Sequence, residues 1–173
     1  MPHGRNNRTS QQNRDDLTGE HSIGDAGQAI LACLFFILWI ADSFFFQYTT
    51  FLNQYVSLGI RIPLGIVFII LSGYLAQKGL SIVFGEKREP PVVIRKSVFG
   101  IVRHPIYLSE ILLYLGFIIL SISLASVAVW IIAIGFLHYI SRREEKLLIA
   151  RFGDTYRQYM QDVPMWIPRL RRK

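Results

Sequence analysis

Two short stretches of the chain gather side chains of the kind that bind and orient a polar small molecule. One is Val102-Arg103-His104-Pro105-Ile106-Tyr107; the other runs from His138 through Arg142, Arg143 and Glu144 to Glu145. A residue before proline avoids the helical region, and proline suits the first helical turn. His104 therefore stands at the threshold of a helix whose first backbone N–H groups are free, and Arg103 beside it makes this helix start suited to an anion. Tyr107, Glu110 and Tyr114 follow at i, i+3 and i+7, which sets a carboxylate beside two phenols on one face. In the second stretch His138, Arg142 and Glu145 share one helical stripe, while Arg143 and Glu144 are expected to point elsewhere. Each stretch alone also fits a plainer account: Arg103 on a lipid phosphate with His104 at a helix cap, and a solvated face with intrahelical ion pairs. Together they describe a ring of Arg, His, Tyr and Glu around one pocket. Neither Cys-x2-Cys nor His-Glu-x2-His spacing occurs, so no metal site is expected.

The elements that must hold these groups are membrane helices. Of 173 residues, 51% are hydrophobic and 18% charged, where a soluble domain carries about 25% charge. The apolar residues fall in runs at 28–46, 62–80, 106–124 and 126–143. A run of 19 residues rises about 28 Å as a helix, close to the hydrocarbon thickness of a bilayer. The expected fold is therefore all-α and integral to the membrane, with four transmembrane helices. The last two form a helical hairpin joined by a short turn around Ser121-Ser126, and the last helix extends beyond the bilayer to a cap at Gly153. Pro63 is expected at the start of the second helix. Gly65, Gly73 and Gly79 along that helix would let a neighbour approach closely. Asp42 is read as an interfacial or snorkelling carboxylate. Residues 1–25 are a polar tail, read as disordered, and 26–173 form one membrane domain. The single cysteine, Cys33, supports no internal disulfide.

The basic residues set the topology. Three Lys/Arg lie in the N-terminal tail, one (Arg61) in the first loop, five between Lys87 and Arg103, and nine from Arg142 onward. The positive-inside rule then places both termini and the second loop in the cytoplasm, where both candidate stretches lie. The net charge of +7 reports this topology and gives no reason to invoke nucleic acid. The basic end Arg169-Leu170-Arg171-Arg172-Lys173 is expected to contact anionic lipid headgroups.

The ordered combination Arg103-His104-Pro105-Ile106-Tyr107, a helical hairpin, then Arg143-Glu144-Glu145-x2-Leu148-x3-Phe152-Gly153-x2-Tyr156-x2-Tyr159 resembles the integral-membrane methyltransferases of the isoprenylcysteine carboxyl methyltransferase type, to which phospholipid N-methyltransferases are related. The resemblance covers about residues 86–168. It implies S-adenosylmethionine as methyl donor, held by the Arg-His-Pro-x-Tyr segment, the last helix and the C-terminal tail. Carried over by position, Arg103, His104, Pro105, Tyr107, Glu144 and Glu145 would bind the cofactor, with Glu144 or Glu145 meeting its ammonium or ribose hydroxyls. Family members often read Gly-Pro-Tyr-Arg-Tyr-Val before the Arg-His-Pro; here the usual glycine and tyrosine are Ser97 and Phe99. Ser109 also stands where glycine is common.

Methyl transfer from a sulfonium is an in-line displacement with a neutral leaving group, so catalysis rests on positioning and exclusion of water. A carboxylate acceptor needs only a cation to orient it, and Arg142, Arg143 or Arg151 can serve. An amine acceptor must lose a proton, which calls for Glu110 or His138. A lipid-like acceptor, as in isoprenylcysteine carboxyl methylation, would explain residence in the membrane; phospholipid N-methylation is the nearest variant. A non-catalytic membrane interaction protein and a small four-helix transporter are the readings of another class. The oligomeric state is not legible.

Overall fold

The computed structural model describes residues 22–85 and 92–168. The expectations for residues 1–21, for the Glu86–Pro91 stretch and for the basic end 169–173 lie outside these. Every described element is helical: α1 (Ser22–Ile40), α2 (Leu58–Gly85), α3 (Pro105–Ser121), α4 (Leu124–Phe152) and α5 (Asp154–Asp162), with short helical turns at Ala41–Phe46, Phe51–Tyr55 and Ser97–Gly100. Three stretches are long and apolar enough to cross a membrane: Ala26–Phe46, Leu58–Gly85 and Leu124–Phe152. The third expected span is shorter than its apolar run. α3 has 17 residues, about 25 Å, because Ile122 turns into the left-handed region (φ 43°) and ends the helix before the run does.

α2 also differs from expectation. It begins at Leu58 rather than Ile62, so Pro63 lies inside it. The start is set by Ser57, whose side chain accepts from Gly59 N at 3.2 Å and whose carbonyl accepts from Ile60 and Arg61. The first helix likewise starts earlier than its apolar run, at Ser22 within the segment read as tail.

α3 runs antiparallel along α2, and glycine makes the approach possible. A Cβ on Gly65 would meet the carbonyl of Gly116 at 3.0 Å, and one on Gly116 would meet the carbonyl of Gly65 at the same distance. Near the other end a Cβ on Gly79 would meet Ile106 at 2.8 Å, whereas Gly73 faces open space. α4 folds back through a turn capped by Ser123, whose hydroxyl accepts from Ser126 N. α1 closes the bundle against α3 and α4. Phe35 is fully buried and stacks on Tyr114 at 4.2 Å. The indoles of Trp39 and Trp130 donate to the carbonyls of Phe117 and Ile111, both at 2.9 Å. The indole N–H donors thus find acceptors in the apolar interior, where an unmade bond is costly.

The turn between α3 and α4 sits on a polar knot. Asp42 is 6% exposed, not snorkelling. It accepts from Thr49 N (3.0 Å), Thr49 Oγ1 (2.5 Å) and Ser123 Oγ (2.6 Å). The helix around it widens to π geometry, ending with Gln47 N on the Asp42 carbonyl. Arg61 is buried as well and donates to Asn53 and to the carbonyl of Leu120 in the last turn of α3, where a cation suits the helix dipole.

Candidate functional site

The opposite end of the bundle carries the charge cluster. Pro105 opens α3 with His104 at its N-cap, as proline's fixed φ dictates. α4 reaches 29 residues, about 43 Å, so its last turns stand level with the start of α3. Gly153 (φ 55°) then ends α4 and redirects the chain into α5. α5 is strongly two-sided: Tyr156 and Tyr159 are buried with Val163 against Leu148, Phe152 and Val93. Tyr159 donates to the carbonyl of Phe99 at 2.6 Å. Arg95 lies over the Tyr159 ring, 5.5 Å from its centre, and donates to the carbonyl of Thr155 at 2.7 Å. These contacts tie the segment before the Arg-His-Pro motif to the C-terminal helix. Burial pushes both phenols above their ordinary pKa, and the nearby Glu145 charge adds to the effect at Tyr156.

Glu145 is the centre of the cluster, with its side chain 2% exposed. Its Oε1 receives Arg103 Nε and Nη2, each at 2.8 Å, and lies 3.3 Å from His104 Nε2. His104 Nδ1 is 3.5 Å from Glu144 Oε2. Tyr107 donates to Glu144 and its ring lies parallel to that of His104, 5.6 Å between centres. Burial opposes a charge on His104, but the hydrogen bonds and charges of Glu144 and Glu145 outweigh it and raise its pKa above the ordinary value.

The structure therefore brings Arg103, His104, Pro105, Tyr107, Glu144 and Glu145 together. It corrects the placement of Glu144: expected to point away, it reaches the same cluster as Glu145 from the adjacent helical position. Long carboxylates only about 100° apart can both reach the start of α3. Arg142 remains 60% exposed, with Nη1 3.8 Å from Glu145 Oε2. Arg143 turns outward, its guanidinium over Tyr139 and bonded to that phenol at 2.6 and 2.9 Å. Glu110 pairs along its own helix with Tyr114 at 2.5 Å while Tyr107 turns to Glu144, so the three do not act as one face. Arg103 is fully engaged: besides Glu145, its Nη1 donates to the carbonyls of Met160 (3.0 Å) and Val163.

Two neighbours of the site carried little signal in the sequence. Ser141 is fully buried one turn before Glu145. Trp166 packs against the cluster of Tyr107, Ile111, Leu137 and Ile140 and meets His138 edge-on, 5.6 Å between ring centres. Glu145 Oε2, Ser141 Oγ and Trp166 Nε1 are all sheltered from solvent without a hydrogen-bond partner among the described residues. Orphaned buried polar atoms in a native site call for an explanation, and a polar ligand is one. A carboxylate oxygen and a hydroxyl fit an ammonium or a sugar hydroxyl, so the residues present fit the methyl donor implied by the resemblance. Among the described residues no cluster of His, Cys, Asp and Glu could hold a metal ion.

Comparison with known proteins bears out the resemblance to membrane methyltransferases. The chain is 27% identical over 156 residues to protein-S-isoprenylcysteine O-methyltransferase of Schizosaccharomyces pombe, covering 84% of this chain and 60% of that protein. It is 36% identical over 87 residues to methanethiol S-methyltransferase 1 of Bradyrhizobium diazoefficiens, covering 49% of this chain and 29% of that protein. The chain thus spans less than two thirds of either relative. No solved structure matches significantly. The sequence model of one family, described as 3-oxo-5-alpha-steroid 4-dehydrogenase, matches residues 25–170, and the chain belongs to that family.

Proposed function

We propose that this protein is a membrane enzyme that transfers a methyl group from S-adenosylmethionine to a lipid-like acceptor held in the bilayer, with isoprenylcysteine-type carboxyl methylation as the first choice. The observation that carries the reading is the buried Oε2 of Glu145, which has no hydrogen-bond partner among the described residues and lies 3.8 Å from the Arg142 guanidinium at one end of the bundle. Both relatives are named as methyltransferases. When bound, the donor supplies an activated methyl on a sulfonium. The chain's own residues do the rest. Glu145 and Glu144 accept from the ammonium or ribose hydroxyls. The Tyr107 ring, parallel to His104, offers an aromatic face near a cation. Glu144 and Glu145 favour the protonated form of His104. Arg142, the exposed cation nearest the site, orients an acceptor carboxylate.

The same reading keeps four spans, with α3 crossing as the shorter partner of α2, and places both termini and the cluster in the cytoplasm. Residues 26–173 act as one membrane domain and 86–168 as its cofactor region. The relative named for methanethiol favours a second acceptor class, a small thiol. The family description names a dehydrogenase, which requires a hydride carrier instead of a methyl donor.

Calorimetry on detergent-purified protein separates these. S-adenosylhomocysteine is expected to bind at micromolar affinity, weakened about tenfold or more by His104→Ala and by Glu145→Ala, with no heat from NADPH. Binding of NADPH and none of S-adenosylhomocysteine would overturn the methyltransferase reading.

A further inference from the structure

We infer that the C-terminal segment from Val163 to Pro168 is a strap latched shut by Arg103, and that Arg103 is a positioning residue whose release admits the polar ligand of the site. The inference rests on the reading that a methyl donor binds at Glu145.

Three observations converge. The first is the latch. Arg103 Nε and Nη2 hold Glu145, and Nη1 holds the carbonyls of Met160 and Val163. The backbone N–H of Arg103 donates to Pro164 O at 2.9 Å, and that of His104 to Met165 O at 3.3 Å. One side chain thus joins the acid at the centre of the site to the segment that covers it. Only arginine offers enough donors in a fixed fork to do this. The second is enclosure. Glu145 Oε2, Ser141 Oγ and Trp166 Nε1 lack hydrogen-bond partners among the described residues yet are closed off from solvent. A ligand group can reach them only if something moves. The third is the nature of what covers them. α3 and α4 are long helices packed along other helices, whereas Val163–Pro168 lacks regular structure and carries Pro164 and Pro168. Segments held by a few bonds open at low free energy, and binding-site covers are drawn from them.

The strap carries Trp166, which meets His138 and packs against the apolar cluster of Tyr107, Ile111, Leu137 and Ile140. Closing it places an indole between the polar cluster and the apolar interior, where water must be excluded from the transfer.

The test uses the full chain labelled with 5-fluorotryptophan. The three tryptophans give three fluorine resonances, with Trp166 assigned by its loss in Trp166→Phe. Arg103→Lys keeps the charge and removes the fork. It is expected to broaden or split the Trp166 resonance and increase its solvent isotope shift, leaving Trp39 unchanged. Stopped-flow binding of S-adenosylhomocysteine should show association several-fold faster and dissociation about tenfold faster or more. A merely damaged site would not associate faster. Unchanged Trp166 signals and an unchanged association rate in a folded Arg103→Lys protein would overturn the strap. If that variant does not fold, wild type decides: S-adenosylhomocysteine must reduce solvent access at Trp166 and leave Trp39 unmoved. If wild type binds no S-adenosylhomocysteine, the donor reading fails, and the Arg103 dependence of the Trp166 signal still decides whether the latch exists.

Discussion

Arg103 and Glu145, 42 positions apart in sequence, meet through two nitrogens at 2.8 Å with both side chains almost wholly sheltered. The pair joins the start of α3 to the last turns of α4. Removing one partner of a buried ion pair strands the other charge, which costs about 3–5 kcal/mol. Glu145→Leu is expected to lose stability on that scale, read as a lowered unfolding midpoint in detergent. Arg103→Leu combined with Glu145→Leu should recover part of the loss, since neither charge is then stranded. Additive losses in the double variant would contradict the pairing.

The raised pKa of His104 has a definite pH signature. A group whose pKa is higher folded than unfolded stabilises the fold fully below its unfolded value, about 6.5, and loses that contribution as pH rises through the folded value. Wild-type stability should therefore fall as pH rises above about 6.5, whereas His104→Gln should lose this slope. Parallel pH profiles for the two proteins would contradict the stabilisation of protonated His104 by Glu144 and Glu145.

Ser97 and Gly100 make opposite demands on the loop before the motif. Ser97 has φ 54°, in the left-handed region that favours glycine. The resemblance marks this position as one where related enzymes usually have glycine. Ser97→Gly is expected to stabilise by up to about 1 kcal/mol. Gly100 is crowded instead: a Cβ would come within 2.9 Å of the Arg95 carbonyl, so Gly100→Ala should destabilise by about 1–3 kcal/mol. Denaturation midpoints of the two variants check both signs.

Legibility in the sequence follows the range of the physics. Local rules found the helix start at Pro105, the long reach of α4 and its stop at Gly153, because proline geometry, apolar run length and glycine φ are properties of a few residues. The glycines of α2 were legible as close-approach positions, though Gly73 shows that spacing alone does not say which of them is used. What failed depended on partners far away. Asp42 looked free to snorkel because Thr49 and Ser123, which satisfy it, lie on other segments. Glu144 looked misdirected because helical phase ignores the length of a carboxylate arm. The full engagement of Arg103 could not be read, since its acceptors are main-chain carbonyls that carry no sequence signature. The turn lies within the expected Ser121-Ser126 stretch, but the end of α3 was placed too late, at 124, because Ile122 is a poor left-handed residue and does not mark a helix stop.

The knot at the other end of the bundle supplies a test remote from the chemistry. Asp42→Asn replaces an acceptor-only group facing three donors, and a mismatched buried bond costs about 1–3 kcal/mol. Thermal unfolding should show that loss. Because Asp42 and Ser123 are bonded directly at 2.6 Å, Asp42→Asn and Ser123→Ala should combine non-additively. Additivity of the two would contradict a shared network.

The central claim is methyl transfer at the Glu145 cluster. It is tested most directly by incubating the purified enzyme in lipid vesicles with S-adenosylmethionine labelled in its methyl group. An N-acetylated, S-prenylated cysteine, a small alkyl thiol and phosphatidylethanolamine are supplied as competing acceptors. The account predicts label in the prenylcysteine as a base-labile ester, reduced at least about a hundredfold by Glu145→Gln. Label in the thiol alone would keep the methyltransferase and change its acceptor. Absence of label from all three, with a folded protein that binds S-adenosylhomocysteine, would contradict the claim that this site transfers methyl groups.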